Sequence, residues 1–451
     1  MRCRAYSAQW ILPISSPPIR NGIVLVQGHR ILFAGESSGA PPELAESELI
    51  EFGTAALLPG FVNSHAHLEL TVMRGYLEDL AFRNWISKLT RAKYDLLSPE
   101  ALNVSAMLGA AEAIRAGITT VADTGDSVSA FDALLASGLR GIAYREVFGP
   151  DPMTANLSLA DLSAKVVEMR GRATTLVSVG VSPHAPYTVS KELFQLVCEY
   201  ARRENLDVCI HTAESESEEQ LIMNAQGEFA DALRSRGIDV RAFGSSTVAY
   251  FASIGVLDSS PLLVHCVRAD QRDIELMARS KSRVAHCPKS NAKLGHGIAP
   301  LAGLLKAGVR VGIGTDSVAS NNRCDIIDEG RFCCLVHRAD SRTFTDPAPR
   351  DVLKLMTQGG AEALGLGEVI GTLEPGKYAD LIAVDLSRAH NTPVNDPEAA
   401  ILFSCEASDV VMTMVAGRML FEGGQVNTLD EARLRIQVDG MRRLLVGSAE
   451  C

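Results

Sequence analysis

The 451-residue sequence lacks any apolar run approaching the roughly 18 to 20 residues that a membrane-crossing helix needs. The patch Trp10–Ile14, behind Arg2 and Arg4, is short and broken by Pro13, so no secretory signal is read there. Basic residues are in the minority: 43 Lys and Arg against 54 Asp and Glu give a formal charge of −11, the wrong sign for a nucleic-acid partner. Only 22% of residues are charged while 47% are apolar, which excludes a disordered chain. There are ten cysteines, yet no pair has C-x-x-C spacing. They read as small buried hydrophobes with reduced thiols, as in a cytoplasmic protein. No repeat at solenoid periods and no low-complexity tract is present.

What is present is a rhythm. Short apolar runs end in polar or histidine-bearing clusters at 56–63, 119–123, 140–147, 176–182, 206–211, 261–265, 283–287 and 310–315. Most are apolar on both faces, the pattern of strands buried on both sides of a parallel sheet. Helical patterns fall between them. In 102–116 the apolar positions include Leu102, Ala106, Ala110 and Ile114, with Gly117 following as a helix stop. Lys191–Arg203 is a second such helix, and 301–307 ends at Gly308. Alternating strands and helices imply parallel pairing, and eight units close an α/β barrel, the (β/α)₈ TIM barrel. The wide gap between the fifth and sixth runs predicts an insertion around 220–259.

The chain ends differ. Strand patterns at 22–26 and 30–33 flank Gly28, and others recur at 379–384, 410–415 and 418–421. Neither end has enough strands for a sheet of its own. A composite β-sandwich of residues 1–56 and 369–451 is therefore expected beside a barrel spanning 57–368, with a terminal helix over 430–445.

Six of the ten histidines lie at or just past the ends of the predicted strands. His65 and His67 form a His-x-His pair, and residues two apart in a strand point the same way. His184 follows strand four, His211 ends strand five, His265 ends strand six, His286 sits on strand seven, and Asp316 follows strand eight. A barrel gathers these ends around one mouth, and histidine with carboxylate suits Zn²⁺, Fe²⁺ or Mn²⁺. The remaining four, His29, His296, His337 and His390, are read as surface or loop residues.

At these residues the chain resembles the amidohydrolase superfamily, and within it the adenosine-type and cytosine-type deaminases. The matching stretches are Leu-Pro-Gly-Phe-Val-Asn-Ser-His-Ala-His (58–67), Ser-Pro-His-Ala-Pro-Tyr (182–187), His-Thr-Ala-Glu (211–214), Val-His-Cys (264–266), Cys-Pro-Lys-Ser-Asn (287–291), Gly-Thr-Asp-Ser-Val-Ala-Ser-Asn-Asn (314–322) and Gly-Thr-Leu-Glu-Pro-Gly-Lys-Tyr-Ala-Asp-Leu (371–381). The resemblance implies one divalent metal ion, zinc first, on His65, His67, His211 and Asp316. Residues 177–190 contain no lysine, which departs from the two-metal branches. It also implies that Glu214 shuttles protons and that His265 and Asp316 share in the catalysis.

The implied reaction is hydrolytic deamination of a 6-aminopurine nucleoside of the 6-amino-6-deoxyfutalosine, methylthioadenosine, S-adenosylhomocysteine or adenosine type. An alternative is hydrolysis of another amino- or chloro-substituted heterocycle, such as an s-triazine, guanine or cytosine. A metal-activated water attacks the amine-bearing carbon, and a carboxylate in reach of the ring nitrogen and the leaving ammonia moves the protons. His184, Trp85 and Ser317 are expected to contact the substrate. Arg145 is placed to meet a substrate carboxylate or to pair with Glu146 or another acid. The adenosylhomocysteine-type enzymes carry a ribose-binding glutamate downstream of a tryptophan; here Trp85 is present, but Tyr94 stands near the glutamate's position. The expected partner is a small molecule, with no nucleic acid and no membrane, and a homo-oligomer is expected by analogy.

Overall fold

The computed structural model describes residues 3–447. Two four-stranded parallel sheets form its centre. The first holds the strands Phe61–Ala66, Ile118–Gly125, Arg140–Val147 and Val177–Pro183, and the second holds Cys209–Thr212, Leu262–His265, Arg283–His286 and Arg310–Ile313. Parallel bridges Val181↔Val208 and Ala66↔Asp316 join strand four to five and strand eight to one. The strand order is that of a TIM barrel. Val62, Ala122, Ile142, Tyr144, Val264 and Ala285 fill its interior, contributed by five different strands. Alternate residues face the helix layer, which explains why these strands read as continuous apolar runs.

The chain ends build one nine-stranded mixed sheet beside the barrel. Ala55–Pro59 lies between Cys3–Ile11 and Leu381–Asp385, so both ends of the chain meet in it. One face closes over Tyr6, Val24, Leu57, Leu381 and Met412. The other places Leu58, Ile382 and Val410 against barrel-side residues such as Phe61 and Ile114. Strand Cys3–Ile11 was not expected from the sequence, where its end looked only like a short apolar patch.

The predicted strand 56–63 is in fact two. Ala55–Pro59 belongs to the mixed sheet, and Phe61–Ala66 is the first barrel strand. Gly60 separates them. A Cβ there would lie 2.1 Å from the Thr119 side chain, so only glycine lets the chain pass. The predicted insertion is present as the helices Glu216–Asn224, Glu228–Ser235 and Thr247–Ser253. The terminal helix runs over Glu431–Gly447. Among the described residues no helix is long and apolar enough to cross a membrane.

Candidate metal centre and active site

The strand ends converge as the spacing predicts. One ring nitrogen from each of His65, His67 and His211 lies within 4.8 Å of the other two. Asp316 joins them: its Oδ1 is 3.4 Å from Nε2 of both His65 and His67. Three of these four side chains, those of His67, His211 and Asp316, are oriented from behind. His67 Nδ1 sits 2.8 Å from the Thr124 carbonyl, and His211 Nδ1 sits 3.2 Å from the His184 carbonyl, which turns both Nε2 atoms inward. Asp316 Oδ2 accepts from the hydroxyls of Ser290 and, at 3.0 Å, Ser320. Gly314 lets strand eight come this close, because a Cβ there would meet the His65 backbone nitrogen at 2.8 Å.

These residues fit a divalent metal ion. His65 is fully buried, yet neither of its ring nitrogens has a hydrogen-bond partner. Such a group is costly unless something else satisfies it. Three imidazole nitrogens and one carboxylate oxygen are a donor set for Zn²⁺, Fe²⁺ or Mn²⁺. Burial works against the charged form of Asp316, but His65 and His67 outweigh it and hold the carboxyl well below its usual range. It is therefore an anion at neutral pH, as a ligand must be.

Glu214 stands beside this cluster. Its Oε1 is 3.6 Å from His265 Nε2 and 3.6 Å from His296 Nε2. Burial, reinforced by the Asp316 charge, pushes its carboxyl up to about 8. His265 Nδ1 lies 2.9 Å from the Asn291 amide oxygen, so that nitrogen carries the proton and Nε2 faces the site. Ala213, His265, Cys266 and Asp316 all hold left-handed backbone, with φ of 51°, 72°, 51° and 56°. Non-glycine residues in this region carry strain of order 1–3 kcal/mol each, and here the strain is concentrated at the strand ends that aim the site.

A cavity of about 500 Å³ opens over the cluster. His67, His211, Glu214, His265 and Asp316 form its floor, and Trp85, His184, Ser317, Tyr94, Lys93 and Glu146 stand in its walls. Trp85, His184 and Ser317 are thus brought to the site. Arg145 is not. Tyr144 packs in the barrel interior and Glu146 lines the cavity, so the intervening Arg145 points away, with Nε and Nη1 buried and unpartnered. Lys93 instead presents its ammonium to the Glu69 and Asp126 carboxylates, and the Tyr94 hydroxyl donates to Asp126 at 2.6 Å.

A family model, described as the amidohydrolase family, matches residues 56–420. The chain belongs to the amidohydrolase family. It is therefore a hydrolase acting on C–N bonds. Among its relatives, a 5-methylthioadenosine/S-adenosylhomocysteine deaminase of Moorella thermoacetica is 34% identical over 430 residues, covering 95% of this chain and 96% of that protein. Among solved structures, an adenosine deaminase from Xanthomonas campestris with bound zinc superimposes with a TM-score of 0.87 at 26% identity, covering 98% of each chain. A Helicobacter pylori aminofutalosine deaminase shares the fold at a TM-score of 0.78 and 20% identity, over 93% of this chain and 100% of that one.

Sequence reasoning missed three residues of this amidohydrolase's site. His296, read as a surface or loop residue, does lie in a loop, but its side chain is 5% exposed and faces Glu214. Its only local signal is the flanking glycine pair Gly295 and Gly297. Glu218 looked like one member of a solvated acidic run. It is fully buried, and its carboxylate accepts from the backbone N–H of Ala213 at 2.7 Å and of Glu214 at 3.1 Å. Glu146 enters the cavity wall where only its possible pairing with Arg145 had been considered. His337, also read as a surface or loop residue, is instead buried within the helix Ile326–Ser341.

Proposed function

We propose that this amidohydrolase is a metal-dependent deaminase of a 6-aminopurine nucleoside. The observation that carries the reading is Glu214: a buried carboxyl, protonated near neutral pH, at the edge of a three-histidine, one-aspartate cluster under an aromatic-walled cavity. The name of the Moorella relative supports the same substrate class. His65, His67, His211 and Asp316 would hold the ion, and zinc is the first choice because the zinc-bearing Xanthomonas structure shares the fold. A divalent ion supplies Lewis acidity that brings water ionisation toward neutral pH.

The chain's own residues account for the proton movements. Glu214 gives its proton to the ring nitrogen beside the amine-bearing carbon. As a carboxylate it then takes a proton from the attacking water and passes it to the departing amine. A C–O bond forms, a C–N bond breaks, and ammonia leaves. His265, fixed by Asn291, presents Nε2 toward Glu214 and the reacting atoms. Asp316, held by Ser290 and Ser320, takes the remaining hydroxyl proton through Oδ1 as the carbonyl forms, and the return of that proton to Glu214 resets the site. Trp85 offers an aromatic face to the base, and burial lowers His184 to about 3, keeping it a neutral hydrogen-bonding group. Lys93 and Tyr94 occupy the wall where a diol-binding glutamate would stand, which shifts the preferred 5′-substituent or sugar contact. Ammonia release across adenosine, methylthioadenosine, S-adenosylhomocysteine and 6-amino-6-deoxyfutalosine tests the reading. Turnover confined to s-triazines, guanine or cytosine, seen as chloride or ammonia release, would replace it.

A further inference from the structure

On the seventh barrel strand, Ala285 and the following Cys287 face the barrel interior. The intervening His286 therefore points the other way, toward the helix Ile326–Ser341. There it meets Cys333 and His337, four residues apart and so on one face of that helix. One ligand atom from each of the three lies within 4.8 Å of the others, and His286 Nε2 is 3.0 Å from His337 Nε2. All three residues are buried, and none lines the catalytic cavity.

Packing alone does not explain this group. His286 Nδ1 is buried with no hydrogen-bond partner. Burial disfavours the charged form of both imidazoles, and at 3.0 Å the two facing nitrogens have room for one proton at most between them. Three polar side chains converge where apolar ones would pack without desolvation cost. Two imidazole nitrogens and a thiol sulfur at this spacing are instead a donor set for a borderline-soft divalent cation.

We propose that His286, Cys333 and His337 form a second, structural metal site for Zn²⁺, separate from the cluster at the barrel mouth. Binding exchanges the Cys333 thiol proton, released to solvent, for a sulfur–metal bond. The fourth position falls to water or to Asp340, whose charge reaches His337 from the next turn of the helix. The site would tie strand seven to the helix that carries Glu329. Glu329 accepts from the Asn321 amide and the Lys289 N–H, and Asn321 in turn donates to the Thr315 carbonyl at 2.7 Å. The second ion would thereby brace the loop that presents Asp316.

Cobalt distinguishes the two sites. The mouth cluster offers only nitrogen and oxygen donors, so a thiolate-to-cobalt charge-transfer band reports the second site alone. The full chain is stripped of metal and loaded with Co²⁺. The band is expected in the wild type and in His65→Ala, and is expected to vanish in Cys333→Ser and weaken in His337→Gln. Zinc analysis of the native protein is expected to find a second equivalent per chain, absent from Cys333→Ser. A cobalt-saturated wild type without the band overturns the proposal, as does a band that Cys333→Ser retains. The wild-type spectrum decides the matter even where a variant does not fold.

Discussion

Replacing Glu218 by Gln probes how the turn carrying Glu214 is held. The Glu218 carboxylate accepts from Ala213 N–H at 2.7 Å, from the Thr247 hydroxyl at 2.8 Å and from Glu214 N–H at 3.1 Å. Glutamine keeps one accepting oxygen and sets an NH₂ where the other stood, so one backbone N–H is left facing a donor. An unmet buried donor costs about 1–3 kcal/mol. A second effect opposes the first. Burial pushes the Glu218 carboxyl from its usual 4.5 up to about 7 in the folded chain. The folded state therefore holds this proton more tightly than the unfolded one. The resulting stabilisation is complete below about pH 4.5 and is lost as pH rises through 7, a change of about 3 kcal/mol. Glutamine has no such titration. Urea unfolding of metal-loaded wild type and variant between pH 5 and 8.5 is expected to show the variant less stable by about 2 kcal/mol at pH 5. The gap should close, or reverse, above pH 7. A stability difference that stays constant across that range would refute the reasoning. In the same variant kcat should fall while KM changes little, because Glu214 loses its backbone anchor.

Glu214→Gln is expected to retain the metal and to lower kcat by roughly 10² to 10⁴; retained turnover would remove Glu214 from the proton path. Asp316→Ala should lose metal and activity together, and full metal occupancy by elemental analysis would count against its role as a ligand. Trp85→Ala should raise KM roughly tenfold through loss of about 1 kcal/mol or more of aromatic contact, with little change in kcat. Asn291→Ala frees His265 Nδ1 and should lower kcat with metal content unchanged, measured on one sample by kinetics and metal analysis.

The histidine and aspartate cluster was legible because the fold makes it so. Barrel strands are apolar for packing reasons, so a histidine at the end of such a run stands out, and parallel strands carry all those ends to one mouth. Asp316 was marked by its place just past strand eight, and the roles of Asp316 and Glu214 came from the family resemblance. Other features depend on contacts between distant segments. Strand Cys3–Ile11 pairs with Ile19–Gln27, Glu48–Glu51 and Ala55–Pro59, and only those partners make it a strand. Glu218 resembles its neighbours Glu216 and Glu219 in sequence, and it differs only in being folded under Ala213. His296 and His337 carry no periodic signal: one lies in a glycine-flanked loop, the other in the interior of an otherwise ordinary helix. Arg145 shows the converse. Its type suited an anionic substrate, but strand alternation sends it away from the cavity and brings Glu146 in.

The central claim is tested most directly by substrate turnover measured together with metal content. Metal-replete protein is assayed for ammonia release from the four aminopurine nucleosides, beside a chelated sample and the Glu214→Gln variant. The account predicts release from at least one nucleoside, abolished by chelation, restored by Zn²⁺, and reduced by orders of magnitude in Glu214→Gln. Metal-replete protein that deaminates none of them, or turnover indifferent to chelation, would contradict it.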